Sequence, residues 1–133
     1  MDIIYRDSKH KSIEVDCQYH ILHSSGYLDV YHRAVAYLLS LDEVLREHIS
    51  EVYSFNRDCI KPEALQASWQ TGTSRKTTRL LFNLWNGYCS EGEPIEEEKI
   101  SANYTPENIF CCEYAPYYWQ AIKLRFPEYT ETE

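Results

Sequence analysis

The chain has 133 residues, 44% of them hydrophobic and 26% charged, with only 4 Gly and 5 Pro. That balance excludes collagen-like, low-complexity and wholly disordered classes, and the length predicts a single domain, residues 1–133, with one core. The net charge is −8, and its uneven distribution disfavours general binding to nucleic acid phosphates.

In chain order, helical spacing dominates. Ile13, Cys17, Ile21 and Leu22 predict a first helix from about Ser8 to Ser24, stopped by Ser24-Ser25-Gly26. Asp29 is placed to cap a second helix with Val30, Ala34, Tyr37, Leu38 and Leu41 on one stripe. Asp42 is placed to cap a third, with Val44, Leu45, Ile49 and Val52 inward. Pro62 suits the first position of a short helix through Glu63-Ala64-Leu65. Ser74 is placed to cap a strong helix from Arg75 to about Gly87, with Leu80, Leu81, Leu84 and Trp85 as its apolar face. Residues 90–105 read as a mobile acidic loop, and Thr105-Pro106-Glu107 restarts a helix. A final helix from near Pro116 to Phe126 ends at Pro127, ahead of an acidic tail, residues 128–133. The fold expected is all-α, a compact bundle of about five to seven short helices.

The charge has a location. Residues 1–87 hold 11 acids and 10 bases, whereas residues 88–133 hold 10 acids and 3 bases. Glu91, Glu93, Glu96, Glu97 and Glu98 supply half of those later acids. Such a run either forms a solvated loop or attracts a basic surface, for example the nucleic-acid channel of another protein. Tyr104, Tyr114, Tyr117, Tyr118, Trp119 and Tyr129 crowd the same third of the chain. Tyrosines at a half-buried rim suit an interface with aromatic anchors, so Tyr117, Tyr118 and Trp119 are the candidate contacts beside the glutamates. Ordinary core packing explains the same rings equally well.

Other constellations compete. Gly72-Thr73-Ser74-Arg75-Lys76 with Arg79 places free N–H groups and three cations at a helix start, which makes Ser74, Arg75, Lys76 and Arg79 a candidate phosphate or nucleotide site. The spacing is not that of a Walker loop. Cys17, His20 and His23 have a strained metal-ligand spacing on one helix and lack an evident fourth ligand. Cys111 and Cys112 are adjacent rather than two residues apart, so core packing is favoured over redox or nucleophilic roles. The five cysteines, odd in number, argue for reduced thiols rather than a disulfide framework. No cofactor or metal is expected.

Asp58-Cys59-Ile60-Lys61-Pro62-Glu63-Ala64-Leu65, then Trp69-Gln70-Thr71-Gly72-Thr73-Ser74-Arg75 and Leu80-Leu81-Phe82-Asn83-Leu84, resemble an uncharacterised family of small proteins from Firmicutes genomes, their phages and prophages. Tyr31-His32-Arg33-Ala34, Tyr37-Leu38-Leu39 and Ala121-Ile122-Lys123-Leu124-Arg125-Phe126 extend the resemblance over most of residues 29–126. It implies no assigned activity or catalytic residue, and it implies a phage or mobile-element origin. The resulting expectation is a non-catalytic protein-binding protein, an inhibitor of a host defence or nucleic-acid enzyme in its sharpest form. A phosphate- or nucleotide-binding regulator is the first alternative, and a metal- or cysteine-dependent enzyme the second. The N-terminus MDIIYRDSKHKSIE has no apolar run or cleavage site, so a cytoplasmic location is expected.

Overall fold

The computed structural model describes residues 2–90 and 101–131. Eight α-helices lie among them, four of seven residues or longer, which confirms the all-α class. They are α1 (Ser8–Ser25), α2 (Val30–Leu39), α3 (Glu43–Arg46), α4 (Ile49–Val52), α5 (Gly72–Asn86), α6 (Pro106–Phe110), α7 (Ala115–Arg125) and α8 (Pro127–Thr130). Two 3-10 turns, Pro62–Gln66 and Ala102–Tyr104, complete the helical content. The count exceeds the five to seven expected because the third predicted helix breaks between Arg46 and Ile49 and a further turn restarts at Pro127.

The centre of the molecule is α2. It packs against α1, α5 and α7, and every residue from Ala34 to Leu39 is buried. The one-sided stripe expected for this helix is therefore corrected to burial on all sides over its last six residues, while Tyr31 and Arg33 near its start stay exposed. The run Ala34-Val35-Ala36-Tyr37-Leu38-Leu39 has no polar face, which suits a helix enclosed by three others. Its two alanines let neighbours approach closely, and the Tyr37 hydroxyl donates to the Ile4 carbonyl at 2.7 Å.

Helix ends follow local chemistry. Asp7 caps α1 by accepting from the His10 N–H, and Gly26 ends it with φ of 86°. Asp29 caps α2 through the His32 N–H, Asp42 caps α3 through the Val44 and Leu45 N–H groups, and Thr105 caps α6. Gly87 terminates α5 with φ of 78°. The α5 start differs from expectation. Thr71 is its cap and Ser74 lies inside the first turn as the other half of a capping box, because Thr71 accepts from the Ser74 N–H while Ser74 accepts from the Thr71 N–H.

Helix α1 buries most of the face expected, with Ile13 packed on the core, and departs from it at Leu22. Cys17 and Ile21 point inward, but Leu22 is exposed and His10 and Glu14 take core positions. A two-stranded antiparallel ribbon, β1 (Tyr53–Ser54) and β2 (Cys59–Ile60), pairs Tyr53 with Ile60. Its turn contains Asp58 at φ of 54°, the left-handed region that Asp tolerates better than most residues.

Candidate functional site

At least six Lys and Arg side chains among the described residues turn to the protein's own backbone. Arg6 and Arg46 donate to the Leu41 carbonyl, and Arg46 also reaches the Ser40 carbonyl at 2.6 Å. Lys61 donates to the Ser50 carbonyl, Arg75 to Leu65, Lys76 to Cys111 and Arg125 to Leu84. Carbonyl groups left over at helix ends and turns accept these bonds, so the cations complete the fold without cancelling a carboxylate charge. Arg6 and Arg46 do both, pairing in addition with Asp7 and Glu43. Glu107 and Glu128 lie exposed on the later helices, and Glu113 is exposed in the turn between α6 and α7.

Glu91, Glu93, Glu96, Glu97 and Glu98 lie outside the described residues. The chain on either side of them is well placed. The Ser101 N–H donates to the Cys89 carbonyl at 2.9 Å, and the Tyr104 hydroxyl donates to the Ser90 carbonyl at 2.8 Å. The point where the chain leaves α5 and the point where it enters α6 are thus joined directly.

The aromatic candidates separate. Tyr118 is 0% exposed, with its hydroxyl 2.7 Å from Thr77 Oγ1, and belongs to the core between α5 and α7. Tyr117 is half-buried with its ring edge toward His10. Trp119 is 48% exposed and carries Lys123 Nζ over its ring at 5.7 Å. Tyr104 and Tyr114 are buried as well, so three of the six crowded C-terminal rings pack the interior. Tyr129 is exposed, and further exposed tyrosines gather in sequence around the α1–α2 turn, at Tyr19, Tyr27 and Tyr31. Sequence spacing gives no sign of this, because Tyr27 and Tyr31 sit beside a cap whose outward geometry depends on α5 and α7.

Ser74, Arg75, Lys76 and Arg79 share the first two turns of α5. Ser74 is fully buried and bonds Gln70 Oε1 at 2.6 Å, while Arg75 and Lys76 make the carbonyl contacts described above. Arg79 also has a partner. Cys17, His20 and His23 do not converge. Cys17 is buried, and burial pushes its thiol up to about 12, whereas His20 and His23 are exposed against Phe55 and Tyr19. Among the described residues no group of three or more His, Cys, Asp or Glu could hold a metal ion. Cys111 and Cys112 follow the end of α6 instead of riding on a helix, with Cys111 exposed and Cys112 half-buried.

Sequence reasoning missed a charged cluster at His32. Its ring is buried, with Nδ1 2.7 Å from Asp29 Oδ1 and Nε2 2.7 Å from Asp58 Oδ1. The Tyr53 hydroxyl also donates to Asp58 Oδ1. Burial opposes ionisation of Asp29, but the His32 N–H and ring contacts hold its carboxyl below the ordinary range. A general base needs an imidazole nitrogen directed at substrate, and here each nitrogen faces a carboxylate. The cluster ties the start of α2 to the ribbon turn.

No helix among the described residues is long and apolar enough to cross a membrane. A model of a protein family of unknown function, DUF6075, matches residues 1–133. No curated protein and no solved structure matches the chain.

Proposed function

The chain belongs to the DUF6075 family, and since that family carries no assigned activity, we propose from the molecule's own surface that it works by binding another protein and not by catalysis. The observation that carries this reading is the disposal of its cations. Among the described residues at least six Lys and Arg side chains donate to main-chain carbonyls instead of resting on carboxylates alone, and the chain as a whole carries −8. A surface of that sign favours a basic partner surface, steers encounter and repels bare nucleic acid.

In the sharper form, the partner is a nucleic-acid enzyme, such as a host defence enzyme met in the cytoplasm by a phage or mobile-element protein. Glu91, Glu93, Glu96, Glu97 and Glu98 then stand where phosphates would, and Trp119 with Tyr117 supplies aromatic contact. The sequence resemblance and the concentration of acids after residue 88 support this form. Tyr118 drops out of the contact set because its ring and hydroxyl are already used inside.

The test is affinity capture from a bacterial lysate followed by salt titration of each captured pair. Replacing Glu96, Glu97 and Glu98 by lysine is expected to weaken binding at least about tenfold and flatten its salt dependence. Unchanged affinity and slope in that triple variant would remove the electrostatic basis of the proposal.

A further inference from the structure

A cleft of about 560 Å³ lined by Tyr31, Trp85 and Phe126 includes none of the candidate site residues named from sequence, and its polar centre is Arg125. The guanidinium lies over the Tyr31 ring at 3.7 Å to the centroid and over Phe126 at 4.4 Å. Its Nε donates to the Leu84 carbonyl at 2.9 Å. Trp85, Asn83 and Asn86 line the remaining wall. With the faces covered by rings and Nε used by backbone, the terminal Nη edge is the part left to meet a ligand. Among the described residues no carboxylate forms an ion pair with it.

That edge presents a planar fork of donors, which matches two oxygens in a plane. Asn86 adds to the donor character, because its Oδ1 accepts from the Tyr88 N–H at 3.0 Å and its amide NH₂ remains available. The electrostatics then select the anion. Arg125 is the last residue of α7 and also contacts one of the final carbonyls of α5. Two helix C-termini each contribute roughly half a negative charge, which offsets much of the cation. A phosphate dianion finds little net positive field there, and the overall −8 repels it further. A singly charged planar carboxylate keeps the fork geometry and meets about half that repulsion, and Tyr31, Trp85 and Phe126 supply apolar walls for a ring or large side chain attached to it.

We propose that the Tyr31–Trp85–Arg125–Phe126 cleft is a receptor for a monocarboxylate that carries an aromatic or large apolar group. Two sources share that chemistry, a free small acid and the C-terminal residue of a polypeptide. The cleft uses none of the residues named for the acidic surface above, and either proposal can fail without the other.

The experiment titrates the whole chain with three probes, phenylacetate, N-acetylglycyl-phenylalanine and the C-terminal amide of that dipeptide, with inorganic phosphate as a fourth. Binding is read by calorimetry and by NMR shifts of the Asn86 side-chain amide and Trp85 indole. The expected result is saturable binding of at least one free carboxylate that shifts both resonances, with the amide at least about tenfold weaker than the dipeptide wherever the dipeptide binds. Phenylacetate binding as tightly as the dipeptide identifies a small acid, and binding of the dipeptide alone identifies a chain terminus. Asn86→Asp keeps the acceptor for Tyr88 while placing a negative charge on the rim, and it should weaken the carboxylate at least about tenfold at unchanged melting temperature. Arg125→Lys retains charge but loses the fork, and should weaken it as well. The proposal is overturned if neither carboxylate binds below about 10 mM. It is equally overturned if amide and acid bind alike, if phosphate binds more tightly, or if Asn86→Asp changes nothing.

Discussion

His32 and Asp58 are joined across 26 positions of sequence by a 2.7 Å contact that ties the start of α2 to the turn of the small ribbon. Asp58 Oδ1 serves both the imidazole and the Tyr53 hydroxyl, and it does so from a left-handed backbone. Asp58→Ala leaves two donors without their acceptor and keeps the unfavourable φ, so a loss of about 2–3 kcal/mol is expected in urea denaturation. Asp58→Asn keeps the acceptor oxygen and tolerates the turn, and should lose about 1 kcal/mol less than alanine does. Equal stability of wild type and Asp58→Ala would show that the cluster contributes nothing.

Acid should weaken the fold through His10. Burial lowers its pKa to about 4, and the neutral ring accepts from the Arg6 N–H while it donates to the Tyr37 carbonyl at 2.9 Å. The unfolded chain takes up a proton near pH 6.5, before the folded chain does, so stability is present above that value and falls as pH drops toward 4. The full span corresponds to about 3 kcal/mol. Glu14 acts in the opposite direction, since burial raises its carboxyl and favours the folded state at the acid end. Melting temperatures from pH 7 to pH 4 should fall in wild type and fall less in His10→Gln, which can still donate to Tyr37. Parallel profiles would contradict the assignment.

The start of α5 offers a test of its corrected cap. Thr71→Ala removes one member of the capping box and should cost about 1 kcal/mol. Ser74→Ala should cost more, about 2 kcal/mol, because the buried hydroxyl also holds the Thr71 N–H and Gln70. If Ser74 were the cap itself, the Thr71 variant would be nearly silent in chemical denaturation.

Adjacent residues on α7 should behave oppositely. Tyr118→Ala opens a core cavity and is expected to cost about 3–5 kcal/mol. Trp119→Ala should change stability by less than about 0.5 kcal/mol, with its effect appearing in partner affinity. Thermal denaturation of the two variants separates them directly.

What sequence disclosed was local. Asp29, Asp42, Pro62, Thr105 and Gly87 mark element ends through groups within a few residues of themselves, and each does so in the structure. The enclosure of α2, by contrast, depends on α5 and α7, which arrive more than 30 residues later. Tyr118 and Trp119 are one residue apart and differ by about 100° around the helix, so their opposite fates require knowing where α5 lies. His32 had the same difficulty, since Asp58 is contributed by a turn with no periodic signal. Arg125 was visible only as a cation near a helix end, and the rings that cover it come from α2 and from the residue after α7.

The single bond between the Cys89 carbonyl and the Ser101 amide has a consequence for how this scaffold can vary. Two chain positions 12 apart are thereby held together by described residues alone, Cys89 on the α5 side and Ser101 on the α6 side. Changes of length or charge between those two positions are therefore expected to leave the register of α5 and α6 in place.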